Sequence, residues 1–519
     1  MGSSDKPNQA VGECSPLYGT IAENVAEIKK RLGHSSDIKI LELEMSAGRM
    51  AKLAVVFTEG LADQVAIAEY SKLLMEIDLS DAELSEDRKR IGPEATCQLA
   101  KELASGYGPI LELKDFEGLL DIVLIGGVAV LSDWNQAFAI SLQKFKERSV
   151  TEPTTESVVR GPKDSFTESI RTNTALIRRR VHYPSLWLET KKVGRMTKTD
   201  VGIMYVNGLA DESVVAEVRN RIEKIDIDGI LESGYIEEAI QETSYSPFPT
   251  IYNSERPDVI AAELLEGKIA ILVDGTPFVL VVPALLISFM HSPEDYYQRY
   301  DISSLIRILR FIGMFIALLG PSMYVAVTTY HQEMLPTPLL ISLASQREGT
   351  PFPAFIEAVI MEVTFEILRE AGLRMPRTIG TAVSVVGTLV IGQAAVAAGI
   401  VSAAMVIVVS MTAISSFIFP AYSISNTIRM LRFPLMGLAA SFGLVGVFVG
   451  MLGIITHLAG LSSFGIPYTS PFTRMDNMGD AKDTIFRLPL RAMRKRPAVF
   501  AKQNPIRYRR NQSSPNDSS

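Results

Sequence analysis

Residues 378–428 read TIGTAVSVVGTLVIGQAAVAAGIVSAAMVIVVSMTAISSFIFPAYSISNTI, lie between Arg377 and Arg429, and hold no Asp, Glu, Lys or Arg. As a single helix the stretch would run roughly 75 Å at 1.5 Å per residue, against ~30 Å of hydrocarbon in a bilayer, so it must turn and cross twice. Two more charge-free runs flank it, 311–332 and 433–473, the second apolar over 435–459. Each is long enough for one further span. The chain therefore reads as a membrane protein with crossings near 306–330, 379–400, 402–421 and 434–459.

Whole-chain composition, with 21% charged residues, conceals this because the charge is segregated. Residues up to about 300 are mixed and polar, 304–460 form the membrane domain, and 461–519 turn basic. The expected fold class is an α/β soluble N-terminal region of two related subdomains followed by an all-α polytopic membrane bundle. A net charge of −7 speaks against nucleic acid as a partner. Met1–Ser15 carries no apolar core of a signal peptide, so the soluble region is expected in the cytoplasm. Cys14 and Cys97 are too few for a disulfide framework or a thiolate metal site, and no metal or other cofactor is expected. After the last apolar run come Arg487, Arg491, Arg494, Lys495, Arg496 and further basic residues, which by the positive-inside rule place the tail in the cytoplasm and make the number of crossings even.

The soluble region repeats itself. Gly60-Leu61-Ala62-Asp63 follows the apolar run 53–57, and Gly208-Leu209-Ala210-Asp211 follows 202–206; further on, GGVAVLSD at 126–133 is matched by GKIAILVD at 267–274. In each half a strand should end at the Gly-Leu-Ala-Asp string, whose Asp is placed to cap the next helix. This predicts α/β subdomains over 30–150 and 185–303, the second including a membrane-docking segment at 278–290, with a variable polar segment 1–29 in front and a connector 151–184 between.

The connector holds Arg160-Gly161-Pro162, Glu168, Asn173 and Arg178-Arg179-Arg180, read as a structural or interface motif. With Arg256-Pro257-Asp258, Glu294-Asp295-Tyr296-Tyr297, Pro351-Phe352-Pro353, Arg374-Met375-Pro376-Arg377 and the run SFGIPYTSP at 463–471, the chain resembles the GerA family of bacterial spore germination proteins, specifically the A-type subunit of the nutrient germination receptors. The resemblance covers roughly 40–500. It implies a multi-pass subunit of the spore inner membrane, working with a permease-like B-type subunit and a lipoprotein C-type subunit, and forming a homo-oligomer that conducts monovalent cations when nutrient is sensed.

One segment speaks for an ion path on its own residues. Residues 352–371, FPAFIEAVIMEVTFEILREA, are apolar enough to enter a membrane yet carry Glu357, Glu362, Glu366, Arg369 and Glu370. Spacings of four stack Glu362, Glu366 and Glu370 on one helical face. A ring of such helices would present acidic rings that favour cations. Two other readings stand beside it: an interfacial helix with its carboxylates in water, and pairing through Arg369. If this helix crosses fully there are five spans and the basic tail lies outside. Gln393, in the expected second span, is a further candidate on the path, and Pro321 and Pro420 are expected to kink or end helices. Among enzyme signatures there is no phosphate-binding Gly-rich loop, HExxH or GxSxG, and the acidic pairs Glu237-Glu238 and Glu294-Asp295 read as helix starts or solvated faces, so no enzymatic activity is expected.

Overall fold

The computed structural model describes residues 15–44, 52–76, 93–133, 136–144, 153, 156, 158–375, 392–472, 483–497, 499–500 and 504–507. Within the α/β region one succession of elements is used twice. The first unit runs α1 (Ile21–Arg31), β1 (Ile38–Glu44), β2 (Lys52–Thr58), α2 (Gln64–Glu76), α3 (Pro93–Ala104), β3 (Ile110–Leu113), α4 (Phe116–Ile125), β4 (Val128–Ser132) and β5 (Ala137–Ile140). The second runs α5 (Ile170–Arg178), β6 (Leu186–Val193), β7 (Thr199–Val206), α6 (Glu212–Glu223), α7 (Ser233–Ile240), β8 (Tyr252–Ser254), α8 (Pro257–Leu265), β9 (Ile269–Val273) and β10 (Val279–Val282). The sheets have orders β1-β2-β4-β5-β3 and β6-β7-β9-β10-β8, the same permutation, with every pairing antiparallel.

The recurring strings sit at matching places for a physical reason. After β2 and after β7 the chain reverses through a glycine with positive φ, Gly60 at 86° and Gly208 at 77°, a region open to glycine at little cost. The aspartates that follow accept backbone amides of the next helix, Val65 to Asp63 and Ser213 to Asp211, each at 3.1 Å. The acids closing the longer strings also match: Asp133 caps the first amide of α1, from Ile21 at 2.9 Å, and Asp274 that of α5, from Ile170 at 3.0 Å. Helix α5, which the sequence reading leaves in the connector, therefore stands where α1 stands in the first unit.

Each sheet is buried on both faces. In the first unit α1 and α4 cover one face and α2 and α3 the other. In the second, α6 and α7 cover one face. The face under α5 and α8 belongs to a larger core that runs on into the helical region, taking in Ala317, Leu318, Ile424, Ile428, Leu435, Tyr468 and Phe500. The segment 278–290 supplies Ala284, Leu285, Phe289 and Met290 to this core.

The helical region follows as α9 (Glu294–Tyr297), α10 (Tyr300–Thr329), α11 (Thr337–Glu348), α12 (Ala354–Arg374), α13 (Gly392–Ala397), α14 (Ala403–Ser416) and α15 (Tyr422–Gly460), then a hairpin of β11 (Ser462–Ser463) and β12 (Ile466–Pro467). Among the described residues, α10 and α15 are long and apolar enough to cross a membrane, and α14 is a shorter apolar helix. Most of the span expected at 379–400 lies outside the described residues. The expected break between the last two spans is corrected. The chain turns at 417–421, around Pro420, and α15 then runs through Arg429 and Arg432 to Gly443 (φ 62°, ψ −140°), where it folds back, so that its second arm returns beside the first: a Cβ on Gly450 would meet the Leu435 side chain at 2.5 Å, and Thr427 and His457 both reach residues 246–247. Pro321 lies inside α10 and does not end it.

Candidate functional site: three charged junctions

The first junction joins the two α/β units. Arg178, at the end of α5 and fully buried, donates from Nε and Nη2 to Asp37, and from Nη2 to Ser35 at 2.9 Å. The Ser36 amide donates to the Leu188 carbonyl and the Leu188 amide to Ser35 Oγ, Ser36 and Thr190 share a hydroxyl bond at 2.7 Å, and Arg171 pairs with Glu59 at 3.1 Å. At Gly33, with φ of 60°, a Cβ would lie 2.0 Å from the Trp187 ring, so only glycine lets the units close this far. The seam rests on one buried guanidinium with a forked carboxylate partner.

The second junction joins the second unit to α10 and the tail. Arg256, also fully buried, donates to the carbonyls of Glu156 and Pro162 and to Asp258, which Tyr297 also reaches. Glu294 accepts the backbone amides of Val159 and Arg160. A Cβ on Gly161 would meet the Tyr297 ring at 2.8 Å. Next to this clamp, Asp295 accepts from Arg307 at 3.0 Å and from Arg310 at 2.9 Å, and Asp483 of the tail accepts from Arg307 at 2.8 Å. Burial pushes the Asp295 carboxyl up, but Arg310 and then Arg307 outweigh it and hold it below the usual carboxylate range. His291, beside them, is pushed down to about 4, first by burial and then by Arg307. Arg487 closes the hub by donating to the carbonyls of Gln298 and Tyr296.

The third junction lies among the apolar helices. Glu362 of α12 is fully buried against Arg432 of α15, and Glu366, one turn on, takes Arg429 on both oxygens. Arg432 makes a further bond, from Nε to the carbonyl of Ala317 in α10, at 2.8 Å. That carbonyl needs a donor: its helical partner would be the amide of residue 321, and Pro321 has none. Glu357 accepts the Ser402 amide at the start of α14 at 3.0 Å, with Thr350 Oγ1 on its other oxygen.

The candidates from sequence are thus dispersed among distinct tasks. Glu362 and Glu366 share one side of α12, Glu357 lies roughly 140° round the helix from Glu362, and each is engaged by a neighbouring helix or loop. Arg369 stacks on Tyr422, 5.3 Å from its ring centre, and the partners of the carboxylates are Arg429 and Arg432. Gln393 is exposed on α13, apart from these acids. Arg160 is held through its backbone amide, with an exposed side chain. Glu168 is likewise exposed, and its carbonyl accepts from Gly275 at 2.7 Å. Pro162 gives its carbonyl to Arg256. Asn173 binds the backbone of Thr167 in both directions, as Asn24 binds Tyr18 in the first unit, so it is part of the repeat. Asp295 begins α9 as its sequence suggests but is buried, not solvated.

Sequence reasoning missed Asp37, Arg307, Arg310, Arg429, Arg432 and Asp483. Their signal is a matched spacing: Arg429 and Arg432 stand three apart on one apolar helix, opposite carboxylates four apart on another.

The Bacillus/Clostridium GerA spore germination protein family matches residues 26–499. The chain belongs to the GerA family. Spore germination protein KA of Bacillus subtilis (strain 168) is 46% identical over 494 residues, covering 95% of this chain and 89% of the relative. Spore germination protein A1 of the same strain is 41% identical over 472 residues, or 91% and 94%. Among solved structures, the crystal structure of the N-terminal domain of the A subunit of the Bacillus megaterium spore germinant receptor GerK3 is 39% identical, covers 53% of this chain and 99% of that chain, and gives a TM-score of 0.42. As a GerA protein of A-type kinship, the chain combines an N-terminal α/β region of antiparallel sheets with a C-terminal region of apolar helices.

Proposed function

We propose that this GerA protein is the membrane subunit of a nutrient germinant receptor in the spore inner membrane, with its α/β region and tail in the cytoplasm, and that it acts as an oligomeric, ligand-gated cation channel. The observation that carries the channel reading is the third junction. Charged groups at the depth of apolar helices are costly and are kept where they hold moving parts together or face a water route. Here they tie α12 to α10 and α15. The face of α12 turned away from the pairs exposes Ile356, Val363 and Ile367. Around an oligomer axis this face would form an apolar constriction, a gate that closes by excluding water.

A permease-like B-type subunit and a lipoprotein C-type subunit are the proposed partners, and four crossings the proposed topology. The test is monovalent-cation flux from liposomes holding the purified protein, with and without those subunits. Nutrient-dependent flux that Val363→Asn and Ile367→Asn make constitutive supports the reading; an assembled complex that never conducts refutes it.

The ion pairing of Glu362 and Glu366 favours a second reading, a non-conducting scaffold whose helices anchor the α/β units. An auxiliary germination channel is the paralogous version of the first. Failure of flux with intact complex formation would select the scaffold.

A further inference from the structure

We infer that the segment 483–497 is a lipid-binding belt that seats the protein on an anionic phospholipid surface. The inference rests on α10 crossing a membrane. Its outward face carries Ile302, Leu305, Leu309, Ile312 and Phe315, all exposed and spaced by three or four, which is the pattern of a lipid-facing stripe. Beyond Asp301, which is exposed and paired with Arg299, the charged residues Arg307 and Arg310 are turned inward to Asp295. On this inference the stripe is the lipid-facing side of α10, beginning close to Leu305, while the opposite side packs on the second α/β unit as far as Leu318.

The tail is fastened at that level. The Arg487 amide donates to Ser304 Oγ at 3.1 Å, and Ser304 Oγ lies 3.0 Å from the Arg487 carbonyl. Ser304 is next to Leu305, so the residues flanking Arg487 sit at the height of the first lipid-facing turn. Phe486, directly before Arg487, and Leu490, three after it, are 57% and 58% exposed, with no reason to be apolar in water. Beyond them Arg491, Arg494 and Lys495 are all exposed. From 484 to 507 the sequence has no Asp or Glu. The segment's one acid, Asp483, is already taken by Arg307 and Tyr296. An aromatic and a leucine at the boundary, followed by exposed cations, match the two halves of a phospholipid: acyl carbon below and phosphate above. Continuity with the span argues for lipid as the occupant, since a soluble protein partner would not need the apolar pair to lie level with Leu305.

The full-length protein in nanodiscs tests this. Single variants Phe486→Trp and Leu490→Trp are compared with Ile312→Trp in chain-brominated lipid. Trp134 and Trp187, common to all three variants, are corrected for by the parent protein. Quenching at all three sites is the expected result. Relative affinity for spin-labelled phosphatidylglycerol over phosphatidylcholine should fall by about fivefold per basic residue removed in the series Arg491→Gln, Arg494→Gln, Lys495→Gln. Quenching at 312 without quenching at 486 and 490 overturns the belt but leaves the span standing. Absence of quenching at 312 overturns the span itself, and the belt with it. A tail shielded from both bromolipid and an aqueous quencher is covered by protein, which also overturns the proposal, as does a phosphatidylglycerol preference unchanged by the three substitutions.

Discussion

Replacing Arg432 with Met should cost the protein about 5 kcal/mol, most of which should return when Glu362 is replaced as well. The arithmetic follows from what Arg432 touches. It neutralises the fully buried Glu362 and fills the Ala317 carbonyl that Pro321 leaves without a helical donor. Removing one member of a buried pair strands the other, a loss of roughly 3–5 kcal/mol, whereas exchanging both members for apolar groups is close to neutral. The carbonyl bond adds about 1 kcal/mol. Arg432→Met alone should therefore be severe, and Glu362→Leu with Arg432→Met should lose only about 1 kcal/mol. Pro321→Ala restores the missing amide, so in the doubly substituted protein it should recover that remainder. The assay is reversible unfolding in mixed micelles, read as a triple-mutant cycle on the full-length protein. If the single and double variants are equally destabilised, or if Pro321→Ala is purely additive, Arg432 is not the bridge among α10, α12 and α15 described here.

Four further outcomes are expected. Arg178→Met should cost roughly 3–5 kcal/mol by stranding buried Asp37, and Arg178→Lys should rescue little of it because the forked geometry is lost; thermal melting and protease cleavage between the two α/β units report it. His291 stays neutral when folded down to about 4 but takes a proton near 6.5 when unfolded, so the unfolded state binds more protons between those values and stability should fall as pH drops through that window; His291→Gln should flatten this slope. Glu156 has the opposite sign: burial pushes it to about 7, so the folded state keeps a proton the unfolded state has lost, stability should fall as pH rises from 4.5 to 7, and Glu156→Gln should remove that dependence in pH-resolved denaturant titrations. Gly443→Ala places a Cβ 2.7 Å from the His331 ring at a positive φ and should cost about 1–3 kcal/mol, seen as a lowered melting temperature together with a changed distance between spin labels on the two arms of α15.

Local rules made the duplicated α/β region legible. A Gly-Leu-Ala-Asp string combines a left-handed turn with a helix cap, and its recurrence exposes the repeat. The start of the second unit was not legible in the same way. Asn24 and Asn173 do the same work, but NVAEI at 24–28 and NTALI at 173–177 share only Asn, Ala and Ile, and it is the shared geometry of amide and approaching loop that equates them. In the helical region the apolar runs fall in α10 and α15, but the fold-back at Gly443 inside the second run had no signal of its own. The charges between them were ambiguous, because an arginine beside an apolar run is equally a boundary marker or one half of a buried pair. What decides is the partner, and Glu362 lies 70 residues from Arg432 in sequence. Asp295 shows the same limit. Its sequence neighbours announce a helix start, while its burial depends on Arg307, Arg310 and a tail far along the chain.

The core beneath α5 and α8 is closed by Tyr468 and Phe500, residues synthesised after the whole helical region. On the proposed four-crossing topology the underside of the second unit stays uncovered while the helices are being threaded into the bilayer, and only a chain that returns to its starting side can supply the missing pieces. An insertion error that left the tail on the far side would leave Phe289 and its neighbours bare and the Arg307 guanidinium short of a carboxylate. The same contacts that hold the finished protein together thus inspect its orientation, and a mis-threaded chain would present the exposed apolar surface that quality-control proteases recognise.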